Sequence, residues 1–391
     1  MIPEGWRRKP LGDIVRIANG QVDPKDSTIS QKICVGPENI YSGGGLNVAS
    51  LRTAGELKQI SGKYAFDAHT ILYSKIRPNL NKIALASFNG ICSADMYPIW
   101  VNEDEKSERS FIYYVMNSHR FVADATSRSF RTGMPKINRP DLESIEISLP
   151  PLPEQKRIAE ILSTWDRAIE TTEKLIVGSE AQKKALMQQL LTGKNRLPGF
   201  SGEWKKCQLS EIADIKMGSS PKSETYNDQG IGLPLLQGNA DIKDGRSHPR
   251  IHTSEPTQKC QVGDILLSVR APVGSIAVSD HTACIGRGLA AIRAKNTSSQ
   301  KLVIEYLKHM EPTWKKLSQG STFEAINSAD VRAMLLLWPE DNRERESIGN
   351  LLADAEDAIC KLIEEKKKLA RQKSALMQQL LTGKRRVKIN N

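Results

Sequence analysis

The chain has 391 residues, 39% of them hydrophobic, with a net charge of +11 and a pI near 9.3. That length suffices for two or three domains, each with its own core. No apolar run approaches the ~20 residues a membrane-spanning helix needs, the opening MIPEGWRRKPLGD lacks a signal-peptide apolar stretch, and the charge excess favours a polyanionic partner, usually nucleic acid. The six cysteines are scattered with no CxxC pair, which fits neither a zinc site nor a disulfide framework, so a cytoplasmic location is expected.

The first half opens on EGWRRKPLGDIVRIANG, with Trp6, Leu11, Ile14, Ile17 and Gly20 as its fixed points. From His69, HTILYSKIRPNLNKIALAS reads as a strand, a turn carrying Arg and Pro, and a second strand. Lys75, Arg77, Asn79 and Lys82 flank that turn, and Arg128, Arg131 and Lys136 cluster in TSRSFRTGMPK. Such loops can set guanidinium groups on guanine edges, amides on adenine and lysines on phosphates. A basic surface kept for solubility is the plainer alternative.

GMPKINRPDLESIEISLPPLPEQ, from Gly133, gives a short helical turn, a strand and a proline stop before a long helical pattern. Its stripe is Ile158, Leu162, Trp165, Ile169 and Ile176, resumed at Leu186 and Leu190. Pro150, Pro151 and Pro153 stand at its entry and Gly193 at its exit. Gly178 predicts a kink or break within it.

ALMQQLLTGKNR ends this helix at 185–196, and ALMQQLLTGKRR ends a second one at 375–386. The repeat is wider than those twelve residues. GEWKKCQLSEIADIKMG, from Gly202, restates the opening motif with Trp204, Leu209, Ile212, Ile215 and Gly218. GDILLSVRAPVGSIAVSD restates the strand–turn–strand, with Arg270 in the place matched to Arg77. GSTFEAINSADVRAMLLLWPEDN restates the lead into the helix. The segments 22–68 and 219–262 share nothing alignable. Lys222, Arg246, Arg250, Arg270, Arg287, Lys315 and Lys316 are the second half's candidates for DNA contact.

In the second helix Ile348, Ala355, Leu362, Leu369 and Leu376 stand seven residues apart, and Leu352, Ile359 and Leu380 widen the stripe. Each helix is about 40 residues, or roughly 60 Å at ~1.5 Å per residue. An ordinary amphipathic helix or an intermolecular coiled coil would give the same stripe. Two copies in one chain favour antiparallel pairing with each other. Ile158, Leu162, Trp165, Ile169, Leu186, Leu190, Ile348, Leu352, Ile359, Leu362, Leu376 and Leu380 are therefore candidates for the spacer seam and for docking a partner.

Catalytic constellations are missing from the sequence. There is no GxxxxGK[ST], no GxGxxG, no HEXXH and no Asn-Pro-Pro-aromatic signature. His248 and His252 share an H-x3-H spacing without further ligands. Glu364, Glu365 and Lys366 read as a charged helix face, and Ser74 and Ser268 have no evident histidine partner. No catalytic or metal-binding residue is assigned.

The duplicated variable domain, the PPLPEQKRIAEIL entry, the QQLLTGK exit and the LPGFSGEW restart resemble the specificity subunit of type I restriction-modification systems over essentially the whole chain. WPEDNRERESIGNLL departs from PLPEQ at the second helix entry. The resemblance implies an α+β chain with two similar, β-rich target-recognition domains at 1–150 and 197–339. Two long helices, at 151–196 and 340–391, would pack as an antiparallel coiled coil with pseudo-two-fold symmetry. Each domain would read one half of an asymmetric bipartite site in double-stranded DNA. Major grooves recur on one face every ~34–36 Å, a separation such a spacer could set. Two methyltransferase subunits would dock, bringing S-adenosylmethionine, and restriction subunits would bring ATP and Mg²⁺. The chain itself would hold no cofactor, touch no membrane and catalyse nothing. A stand-alone sequence-specific or architectural DNA-binding protein is the alternative.

Overall fold

In each half, the strand that opens the shared motif pairs with the strand that leads into a long helix. Arg7–Pro10 runs antiparallel to Glu146–Leu149, and Trp204–Gln208 runs antiparallel to Leu335–Pro339. These pairings appear in a computed structural model, which describes residues 3–102, 106–129, 133–314 and 325–388. The chain divides into two units: residues 1–172 with 365–391, and residues 173–364.

Unit 1 carries two four-stranded sheets. One has the order Val15–Ile17, Met96–Val101, Ile71–Ser74, Ile83–Leu85; the other Arg52–Thr53, Ile33–Val35, Gly90–Cys92, Tyr64–Phe66. Unit 2 repeats both orders. Ala213–Met217, Leu289–Ala294, Ile265–Ser268 and Ile276–Val278 form the first series, and Ile251–Thr253, Leu233–Leu236, Ala283–Ile285 and Lys259–Cys260 the second. The central strands Ile71–Ser74 and Ile265–Ser268 are buried at every position, so they read as continuous apolar runs. The segments 22–68 and 219–262, unalignable as sequence, thus hold equivalent strands. Strands of two to four residues leave too few apolar positions for the likeness to survive in the letters.

The long helices are Leu152–Leu190 and Asn342–Leu380, each of 39 residues. The central helix runs unbroken through Gly178, contrary to the expected interruption. Outside the helix's own backbone, none of the described residues comes within 4 Å of the place a Gly178 side chain would take. One exposed glycine costs only about 1 kcal/mol in a helix, too little to break one packed elsewhere along its length.

Within each unit, the helical segments run antiparallel. In unit 1, Ile158 and Leu162 share a core with Phe111, Ile14, Leu380 and Leu381, and Lys373 reaches Asp166 at 2.5 Å. In unit 2, Leu190 and Leu191 share a core with Ile348, Leu352, Tyr306 and Trp338, and Lys183 reaches Glu356 at 2.6 Å. Ile158, Leu162, Leu190, Ile348, Leu352, Ile359 and Leu380 are therefore buried within their own units. Trp165, Ile169, Leu186, Leu362 and Leu376 are half-buried. Ile158, Leu162 and Leu380 pack into the core of unit 1, and Leu190, Ile348 and Leu352 into the core of unit 2.

Candidate nucleic-acid interface

The strand–turn–strand of each unit is held by a buried serine. Ser74 Oγ donates to Ile76 O at 3.1 Å, and Ser268 Oγ donates to Arg270 O at 3.0 Å and to Pro272 O at 2.9 Å. Both hydroxyls are spent on closing their own turns. The turns are then tied to a second loop by matching bonds. Ile137 N donates to Lys75 O, and Ile326 N donates to Val269 O, each at 2.9 Å. Bridges follow between Ile76 and Lys136 and between Arg270 and Ala325. This register corrects the expected match by one residue. Arg270 occupies the place of Ile76, and Arg77 occupies the place of Ala271. The shared Pro had suggested otherwise, but backbone pairing, not residue type, sets the correspondence.

The sequence candidates differ in how far their charges are already engaged. In unit 1, Lys82 donates to Pro37 O at 2.6 Å and Arg128 to Ser144 Oγ at 2.6 Å. Arg77 and Asn79 are exposed, and Arg77 holds a left-handed φ of 49°. Burial and the neighbouring Lys136 ammonium hold Lys75 below the usual lysine pKa. The two cations are thus crowded together, as suits an anionic neighbour. In unit 2, Arg246 pairs with Asp280 at 2.9 Å and Arg250 with Asp241 at 2.8 Å. Arg270, Arg287 and Lys222 are exposed. Arg131, Lys315 and Lys316 lie outside the described residues.

Arg270 and Arg287 meet at one cleft of about 250 Å³, with Ser220, Gln237 and Asn239 on its other walls. A Cβ at Gly288 would stand 2.4 Å from Gln237 O, so only glycine lets these backbones approach so closely. Sequence reading missed Ser220, Gln237 and Asn239. The Gly-Arg-Gly at 286–288 was the available signal.

A second shared feature is a clamp built on the end of the twelve-residue repeat. Arg386 grips Glu154 through Nε and Nη2 at 2.7 and 2.8 Å, and Trp6 Nε1 donates to the same carboxylate at 3.2 Å. Arg196 grips Glu344 at 2.9 and 2.5 Å, and Trp204 Nε1 donates to it at 3.2 Å. Both glutamates are buried. Gly193 and Gly383 take positive φ of 67° and 70°, turning the chain out of the helix so that each arginine comes back to its carboxylate.

The same repeat lines a groove in each unit. Met377 and Gln378 border one of about 390 Å³ with His119, Phe121 and Asp124. Met187 and Gln188 border one of about 440 Å³ with Lys308, His309 and Pro312. Among the described residues, no group of three or more His, Cys, Asp or Glu could hold a metal, and no helix is long and apolar enough to cross a membrane.

Comparison with known proteins bears on this duplicated architecture. The family model for the type I restriction modification DNA specificity domain matches twice, at residues 3–177 and 201–370. The chain belongs to the type I restriction-modification specificity subunits. It is 30% identical over 412 residues to a Methanocaldococcus jannaschii protein provisionally named the MjaX type I restriction enzyme specificity subunit, covering 99% of this chain and 95% of that one. A solved chain from work on complex assembly and conformational transition of the type I R-M system is 29% identical. The match covers 97% of this chain and 98% of that one, with a TM-score of 0.62. The S subunit of M. genitalium, 17% identical with 96% of each chain covered, shares the fold at a TM-score of 0.67. As a specificity subunit, the chain has two DNA-recognition domains, and the cleft and basic turns above lie within them.

Proposed function

We propose that this specificity subunit reads an asymmetric, bipartite DNA site, one half per recognition domain, with the two long helices setting the gap. The observation that carries the reading is a contrast within the chain. The twelve-residue repeat builds the same clamp and a similar groove in both units, whereas the loops carrying exposed cations differ. Matching clamps and similar grooves suit two copies of one partner, and unequal loops suit two different half-sites.

The partners are two methyltransferase subunits, which bring S-adenosylmethionine, and restriction subunits, which bring ATP and Mg²⁺. This chain performs no covalent chemistry. Its buried serines close turns, and its exposed cations meet phosphates and base edges. Unit 1 contributes Lys75, Lys136, Arg77 and Asn79, and unit 2 contributes Arg270, Arg287 and Lys222.

Co-expression with the methyltransferase subunit, followed by genome-wide mapping of methylated adenines, tests the proposal. A bipartite motif is expected, and exchanging residues 1–150 for those of a homologue should change only one half of it. Co-purification without methylation would make the chain a scaffold or the system inactive. Specific DNA binding without any methyltransferase association would favour a stand-alone DNA-binding protein.

A further inference from the structure

We infer that Arg270 and Arg287 are the guanine-reading residues of unit 2, a device that unit 1 lacks; this deepens the proposal above and rests on it. Three segments converge here, each leaving the C-terminal end of a strand: Gln237–Asn239 after Leu233–Leu236, Arg270 after Ile265–Ser268, and Arg287 after Ala283–Ile285. Their backbones are locked together. Gly286 N donates to Leu236 O at 2.8 Å, Gly288 N to Gln237 O at 3.1 Å, and Val269 N to Gly288 O at 2.9 Å. Arg287 N donates to Ser220 Oγ at 3.2 Å.

The side chains, by contrast, are uncommitted. Among the described residues no carboxylate pairs with either guanidinium, and the one contact is a long bond from Arg287 Nε to Ser220 Oγ at 3.4 Å. Arg246, Arg250 and Arg293 of the same unit each hold an aspartate at 2.9 Å or less. A fixed frame presenting two unpaired guanidinium forks beside the amides of Gln237 and Asn239 suits the edge of a base pair in the major groove. An arginine fork matches guanine O6 and N7, and Gln or Asn matches adenine.

Unit 1 repeats two of these backbone bonds with other side chains. Ser93 N donates to Val35 O, and Lys75 N to Asp95 O, as Gly286 N does to Leu236 O and Val269 N to Gly288 O. By this register Ile76 replaces Arg270 and Ala94 replaces Arg287. The half-site read by unit 2 therefore contains at least one G·C pair whose selection depends on these two arginines, and the half-site read by unit 1 does not use the pair.

The test is selection of a randomised duplex library by the purified complex of this chain with its methyltransferase subunits. It compares the natural chain with R270Q, R287Q, R270K and R287K. The glutamine variants should lose roughly 10- to 100-fold discrimination at a G·C pair in one half-site, with the other half unchanged as an internal control of folding. The lysine variants should also lose discrimination, because an ammonium cannot reproduce the two-pronged contact. Unchanged motifs in all four variants would overturn the inference. So would a natural unit 2 half-site without G·C. A loss equal for all sequences and restored by lysine would make both residues phosphate contacts, also overturning it. If the natural complex selects no bipartite motif at all, the proposed function fails instead.

Discussion

Arg386 closes on Glu154 with two parallel hydrogen bonds across 232 residues of chain, and the carboxylate it holds is almost wholly buried. The matching bond in unit 2 joins Arg196 to Glu344 across 148 residues. In both, the arginine is the final residue of the twelve-residue repeat. Two-pronged guanidinium–carboxylate pairs are strong and geometrically demanding.

Among the described residues, R386A strands the Glu154 carboxylate with Trp6 as its remaining side-chain donor. The expected loss is about 3 kcal/mol, the lower end for a broken buried pair, because Arg386 itself remains partly exposed. Denaturant unfolding of R386A measures that loss, and R196A should lower stability in the same direction. A loss under about 0.5 kcal/mol in R386A would class that pair with ordinary surface ion pairs.

Lys183 sits between Glu305 at 2.8 Å and Glu356 at 2.6 Å, and both Lys183 and Glu305 are nearly inaccessible. Among the described residues, K183A leaves Glu305 buried with only the distant end of Lys308 at 3.5 Å. Unit 2 should lose about 3 kcal/mol. K183M, which keeps the packing of the stem, should still lose most of it. Thermal melting of both variants separates charge from volume.

Acid should weaken the same cluster. Burial alone would raise the Glu356 pKa, but hydrogen bonds and charge from Lys183 and Lys308 outweigh it and hold the group below its usual 4.5. A carboxyl with a depressed folded pKa adds stability above the unfolded value, and that stability is lost as pH falls through the folded value. Stability measured from about pH 5 down to pH 3 should therefore decline less steeply in E356Q than in the natural chain. Equal slopes would show that Glu356 does not contribute.

The paired grooves predict a count. If each docks one methyltransferase subunit, M377E should leave a complex with one such subunit, M187E likewise, and the double variant none. Native mass spectrometry reads the stoichiometry directly. Two bound subunits in the double variant would move docking elsewhere on the chain.

Much of this was legible in the letters because it depends on periodicity and repetition. The stripe from Ile158 to Leu190 with its flanking Pro150, Pro151, Pro153 and Gly193 located the first long helix, and the seven-residue spacing from Ile348 to Leu376 located the second. Trp6 and Trp204, equally spaced from Leu, Ile, Ile and Gly, announced the duplicated strand. The short strands of 22–68 and 219–262 were not legible. A strand of three residues carries no period, and its place is set by neighbours distant in sequence.

By itself, the sequence determined that this protein is a duplicated specificity subunit with two helices and two dissimilar sets of basic loops. The helical stripe, the repeat and the excess of cations are properties of order along the chain. Only the tertiary structure decided which cations are engaged and which remain available. Arg250 and Arg270 look alike in sequence, yet one holds Asp241 and the other has no acidic partner among the described residues. It also decided that Arg270 corresponds to Ile76 rather than Arg77, because hydrogen-bond register is fixed between strands and not along them.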